Sequence, residues 1–243
     1  MRNTTKNYKK TLNVLLGLLG SLLILLACAC FVLLLSLRIP GLWGWYYAVQ
    51  QHLLQMEHFV RELRPHLLFV TAVLLLFALR SVLPLLSVSA ICLMSGVVLP
   101  VYVAIPVNLL GVGLMMSLHY ARGKRSGGGR AWRFFVRNVP VRDLLEKEGA
   151  RNPWLLFALR ALPRFPQGSV SRVYGAMQLP LRKYLLVSLA GFSPKLISYT
   201  FIGQNVFDPL SASFLTPIIL VLLLSGLSLL FLNTIWSWID KQT

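Results

Sequence analysis

Acidic side chains are what this sequence has least of. Seven Asp and Glu stand against 24 Lys and Arg, for a formal net charge of +17, and only 13% of residues are charged at all. No acid occurs between Glu62 and Asp143, nor between Glu148 and Asp208, so cations in those stretches lack a nearby carboxylate in the chain. Cysteine is scarce too: Cys28, Cys30 and Cys92 all lie in apolar runs, which excludes a disulfide framework and a cysteine zinc site. The four histidines (His52, His58, His66 and His119) have no metal-motif spacing, so neither metal nor cofactor is expected. The Gly127-Gly128-Gly129 tract follows no strand and precedes no Lys-Ser/Thr pair, which excludes a phosphate-cradling loop.

What is abundant is apolar surface: 56% of residues are hydrophobic and the mean hydropathy is +0.69. A soluble domain of 243 residues has too little interior to hide that much. The reading is an all-α polytopic membrane protein. Its basic residues cluster as the positive-inside rule requires: Arg2, Lys6, Lys9 and Lys10 precede the first apolar run, and a second cluster fills the loop that opens at Arg122 and closes at Arg151. The clustering suits an anionic leaflet. No known nucleic-acid-binding fingerprint accompanies it, so nucleic acid is not an expected partner.

The first apolar run, Thr11 to Leu37, carries no charge and is long enough to span. Leu25-Leu26-Ala27-Cys28 faintly resembles a lipoprotein cleavage box, but the run continues unbroken beyond it, as an uncleaved anchor does. Residues 38–65, with Trp43, Trp45, Tyr46 and Tyr47 at their start, read as an interfacial amphipathic helix. Spans are expected over 101–121, 184–202 and 213–239. Between them, 66–100 and 153–180 are interrupted stretches that read either as re-entrant hairpins or as pairs of complete crossings. The N-terminus, the 122–152 loop and the C-terminus are expected on the cytoplasmic side of a cell membrane, and the sequence leaves monomer and oligomer both open.

A repeat organises the centre. Leu76-Phe77-Ala78-Leu79-Arg80 recurs letter for letter as Leu156-Phe157-Ala158-Leu159-Arg160. Pro84 then answers to Pro163, Gly96 to Gly175, Pro100 to Pro180, Gly111 to Gly191 and Gly123 to Gly203. With the first hairpin opening outward and the second inward, the expected fold is an inverted repeat of re-entrant hairpin plus transmembrane helix. The domains are then 1–65, a core of 66–203 (repeats 66–123 and 153–203) and 204–243. Such repeats place a site at mid-membrane. Pro84, Pro163, Pro166, Gly96, Gly175, Gly111, Gly191 and Pro194 are the expected helix breaks and close approaches.

Arg80 and Arg160 occupy equivalent places near the hairpin tips, where a cation needs a partner or a task. With no acid in either hairpin, the counter-charge would be a ligand, and a guanidinium fork suits phosphate. Snorkelling to an interface or capping of backbone carbonyls is the structural alternative. Arg164 and Arg172 extend the basic group in the second hairpin, as ligand groups or as a positive-inside patch. Lys195, beside Pro194 within a span, either serves the site or pairs with a carbonyl that the proline frees. Arg160, Arg80, Arg164, Arg172 and Lys195 are the candidate substrate-binding residues, and no catalytic residue is expected.

The series Arg160-Ala161-Leu162-Pro163-Arg164-Phe165-Pro166, then Gly175, Gly191-Phe192-Ser193-Pro194 and Gly203, resembles the DedA superfamily, in its SNARE-associated Golgi protein (VTT-domain) branch. In the first copy Pro84, Gly96 and Gly111 follow the same order. The resemblance covers somewhat over half the chain. It implies two facing re-entrant hairpins and movement of lipids, including phosphate-bearing lipids, between leaflets; membrane lipids are therefore the expected partners. Proton-coupled members are thought to need membrane-embedded acids in the first repeat, and this chain has none there. A small-solute or ion transporter using the same site is the second reading. An enzyme on lipid phosphates is the third, and it lacks the histidines that chemistry needs downstream of Ser169, since none follows His119.

Overall fold

The computed structural model describes residues 2–37, 46, 50–57, 66–83, 86–126, 153–161 and 166–242. Their regular structure is all helical: α1 Arg2–Ser36, α2 His66–Arg80, α3 Val88–Val98, α4 Val101–Ser126, α5 Pro153–Ala161, α6 Gln167–Ala176, α7 Leu181–Gln204 and α8 Ala212–Gln242. Four stretches are long and apolar enough to cross a membrane, Val14–Ser36, Val101–Ser126, Leu181–Gln204 and Ala212–Leu230. They coincide with the four spans read from hydropathy, and the chain is a multi-pass membrane protein. Pro84, Pro163 and Arg164, most of the basic loop and most of 38–65 lie outside the described residues.

The chain forms two compact units, Met1–Gln50 with Asp208–Thr243, and Gln51–Phe207. In the first, α1 packs on α8. Gly20 and Gly226 make the crossing: a Cβ on Gly226 would stand 3.0 Å from the Gly20 carbonyl oxygen, so the backbones meet where neither residue has a side chain. Leucines along the rest of α1 (Leu18, Leu22, Leu25) are exposed, as a lipid-facing helix requires. Tyr46 Oη donates to Asp208 Oδ1 at 2.8 Å and accepts the Leu210 amide at 3.2 Å. The terminal helices, separate segments in the sequence, thus share one unit.

The second unit is built on α4 and α7, which pack together. Each holds the first short helix of its own repeat (α2 on α4, α5 on α7) and the second short helix of the other repeat (α6 on α4, α3 on α7). Paired glycines carry the exchange. A Cβ on Gly96 of α3 would overlap the Thr200 carbonyl of α7, and one on Gly203 would overlap the Leu93 carbonyl. Eighty residues away in register, Gly175 of α6 meets the Tyr120 carbonyl of α4 and Gly123 meets the Arg172 carbonyl. Gly111 lies under the Phe77 ring, and Gly191 under Arg160 and Phe157. The sequence echo is therefore an echo of contacts. Phe77, Val112, Met116, Leu156, Tyr184 and Leu196 fill the core between them.

The short helices have 15, 11, 9 and 10 residues. At about 1.5 Å per residue they reach roughly 14–22 Å, short of the ~30 Å hydrocarbon layer. Proline chemistry limits them. Pro166, extended at φ −60° and ψ 120°, is the residue before α6, and Leu99, extended before Pro100, stops α3. Gln178 turns the chain from α6 into α7 at φ 56°.

Candidate functional site

Arg160 ends α5 as a wholly buried side chain. Gly191 lets it approach α7, since a Cβ there would stand 2.9 Å from the Arg160 Cβ. All five of its N–H groups are taken by the chain. Nε donates to Ser188 Oγ at 3.2 Å; Nη1 donates to the Gln167 carbonyl at 2.9 Å and to Gln167 Oε1 at 2.6 Å. Nη2 donates to Ser171 Oγ at 2.9 Å and to Tyr184 Oη at 2.6 Å, and the guanidinium lies 5.6 Å from the centre of the Tyr184 ring. A buried charge needs that many partners to offset desolvation. The arginine ties α5 to α6 and α7.

Arg80 ends α2 at the corresponding place and has none of this. Aligned on the shared prolines and glycines, Gln167, Ser171 and Tyr184 answer to Val88, Cys92 and Ala104. The mate of Ser188 is Asn108, whose Nδ2 already donates to Ser95 Oγ at 2.6 Å and Thr200 Oγ1 at 2.9 Å, linking α3, α4 and α7. Arg80 is half-buried, and its Nε is shielded from solvent with no hydrogen-bond partner among the described residues.

A cavity of about 300 Å³ opens where Arg80 points. Its wall includes Ser81, His119, Arg172 and the first residues of α6, Gln167, Gly168 and Ser169, with Val82, Val88 and Met115 as the apolar part. Three nitrogens of residues that line it are buried and unpartnered among the described residues: Arg80 Nε, Arg172 Nε and His119 Nδ1. The imidazole rests on Gly168, where a Cβ would stand 3.3 Å from its Cε1 and Nε2. The Ser169 and Val170 amides make the first hydrogen bonds of α6, both to the Pro166 carbonyl. The Gln167 and Gly168 amides thus sit at the free, electropositive end of a helix. No acid is found anywhere from residue 63 to 142 or from 149 to 207. Cations, buried nitrogens and a helix N-terminus along one cavity are the chemistry that suits an oxyanion.

Lys195 is occupied elsewhere. It is buried in α7 and its Nζ donates to the Ala161 carbonyl at the end of α5, at 2.6 Å. The carbonyl that Pro194 frees belongs to Ala190 and is taken by Ser193 Oγ at 3.0 Å. In the first repeat Arg122 does the same task, its guanidinium donating to the Ser81 carbonyl just beyond α2. A basic side chain therefore caps each first limb. Of the candidates read from sequence, Arg80 and Arg172 share the cavity with Pro166; Arg160 and Lys195 are held within the protein; Gly96, Gly175, Gly111 and Gly191 are packing contacts.

His119, Gln167, Ser171, Tyr184 and Ser188 were not singled out by sequence. A signal existed: Tyr184, Ser188, Gly191 and Lys195 recur at helical spacing down one stripe of an apolar span. The VTT domain family model matches residues 83–205, which is half the chain and covers α3 to α7. No match is found among curated proteins or solved structures.

Proposed function

This chain belongs to the VTT-domain family (DedA and SNARE-associated Golgi proteins), and on that premise we propose that it moves phosphate-bearing lipids between the two leaflets of a membrane. The observation that carries the proposal is a cation-lined cavity in the helical core with no acid on its wall among the described residues. A phosphate headgroup shelters there while its acyl chains stay in lipid. The two broken limb pairs are re-entrant hairpins of opposite orientation, a reading supported by limbs too short to cross alone and by their exchange between α4 and α7. The basic residues before the first span, with Lys124 and Arg125 closing α4, support a reading with both termini and the 122–152 loop in the cytoplasm.

The protein acts as a transporter without chemical change to its substrate. Reconstitution in vesicles with fluorescent lipid, quenched from outside, tests this. Wild-type protein is expected to expose the inner-leaflet label; exchange no faster than in empty vesicles refutes the proposal. The size of the cavity, at the small end for ligand pockets, favours one second reading, a carrier of small anions. Anion flux without lipid movement in the same vesicles selects it.

A further inference from the structure

The equivalence of Arg80 and Arg160 invites the idea that both grip the substrate. Their surroundings say otherwise. Five donors on Arg160 meet five acceptors, so a ligand would have to break the network that joins α5, α6 and α7 to reach it. We propose that the oxyanion is held by Arg80, Arg172 and His119 against the N-terminal amides of α6, and that Arg160 takes no part in holding it. The assignment rests on the transport reading for its physiological meaning, but the site is defined by its own geometry.

Each part has a separate observation behind it. His119 is only 5% exposed, lines the cavity, and keeps Nδ1 unpartnered. A buried orphan donor or acceptor is costly unless something fills the site. Arg80 and Arg172 come from α2 and α6, different repeats, line the same cavity, and each has a buried Nε without a partner among the described residues. The free end of α6 adds two backbone amides and the positive pole of a ten-residue helix. Ser169 adds a hydroxyl to the wall, whereas Ser81 Oγ already donates to the Ala78 carbonyl at 2.7 Å. Among the described residues nothing on the wall is acidic, so the ammonium of a zwitterionic headgroup finds no carboxylate among them. The ligand chemistry is a phosphate-like oxyanion, from a lipid headgroup or from free phosphate.

The test uses full-length protein in detergent, with short-chain phosphatidic acid, inorganic phosphate and short-chain phosphatidylcholine as probes, read by binding titration and by the rise in melting temperature each probe produces. Arg172→Gln, Arg80→Gln and His119→Leu are expected to weaken phosphatidic acid or phosphate binding by about tenfold or more for the arginines, and several-fold for His119, with melting of the unliganded protein nearly unchanged. Arg160→Lys is expected to melt lower, yet its folded fraction keeps the probe-dependent rise. Arg160→Lys abolishing that rise while Arg172→Gln preserves it overturns the assignment, as does equal affinity of all variants for every probe. Phosphatidic acid binding without inorganic phosphate binding assigns the lipid as source. The converse, with no leaflet exchange in vesicles, refutes lipid transport but keeps the site. Leaflet exchange that survives all three cavity substitutions refutes the site and leaves lipid transport standing.

Discussion

Arg80 and Arg160 end the same five-letter motif, yet one is half-buried without a hydrogen bond among the described residues and the other is wholly buried with five. The difference lies in the elements packed against them. The second repeat presents Gln167, Ser171, Tyr184 and Ser188 to its arginine; the first presents Val88, Cys92 and Ala104, plus an Asn108 already committed to Ser95 and Thr200. The two copies of the motif carry equal cations, and their different partners leave one locked in the structure and the other lining a cavity. A shared motif therefore marks a shared position and not a shared task.

The sharpest way to break this comparison is to remove the locked cation. Arg160→Gln takes the shared donor from Tyr184 Oη, Gln167 Oε1 and the Ser171 and Ser188 hydroxyls in the core. An unmade buried charge network costs about 3–5 kcal/mol. Loss of most folded protein in detergent is expected, seen as a lower melting temperature and earlier aggregation by size-exclusion chromatography. Arg80→Gln, which empties no network, should melt nearly as wild type. Equal melting of the two variants would end the distinction.

Next in size are the glycines that let the short limbs exchange between α4 and α7. Gly175→Val and Gly96→Val each drive a side chain into a backbone carbonyl of the facing long helix, Tyr120 and Thr200 respectively. Backbone cannot rotate away as a side chain can, so each costs about 1–3 kcal/mol or more. Because the contacts are equivalent, the two variants should lose similar amounts of thermal stability, and a large inequality would show that the repeats do not pack alike.

A smaller effect is expected where a basic residue caps each first limb. Lys195→Met puts into the second repeat the residue that stands at the matching place in the first, Met115. It leaves the Ala161 carbonyl without its donor, a loss of about 1–2 kcal/mol for a buried acceptor. If Lys195 only caps α5, leaflet exchange per folded molecule should match wild type. Exchange lost with stability intact would return Lys195 to the substrate pathway.

Much of this was legible in order of residues alone, and the rest was hidden for a definite reason. Four spans follow from hydropathy because lipid rewards apolar length. The repeat follows from spacing, since Gly and Pro act through backbone geometry that tolerates few substitutes, and its contacts carry the same register. Arg160's partners come from α6 and α7, and which polar residue meets which cation depends on helix-to-helix packing that spacing does not encode. His119 looked like a lone imidazole in an apolar run. Only the approach of Gly168 from α6 shows what lies beside it. Orientation in the bilayer rests on charge counting throughout.

The mildest substitution probes the comparison most finely. Cys92 occupies in α3 the place that Ser171 holds in α6, and it is fully buried. Ser171 Oγ donates back to the Gln167 carbonyl at 2.9 Å, which leaves its lone pairs turned to Arg160. Cys92→Ser changes volume little, and its hydroxyl can donate to the Val88 carbonyl in the same helical manner. Val88 shares the cavity wall with Arg80, and by the register that sets Ser171 beside Arg160 the new oxygen is expected to accept from the Arg80 guanidinium. Stability should shift by well under 1 kcal/mol, since a bond of about that size offsets the burial of a more polar group. Phosphate affinity should fall about two- to fivefold, because a cation with a partner inside the protein has less to gain from a ligand. An unchanged affinity, with Arg80→Gln still defective, would mean that the first repeat lost its lock through the geometry of α2 and not through the side chains of α3.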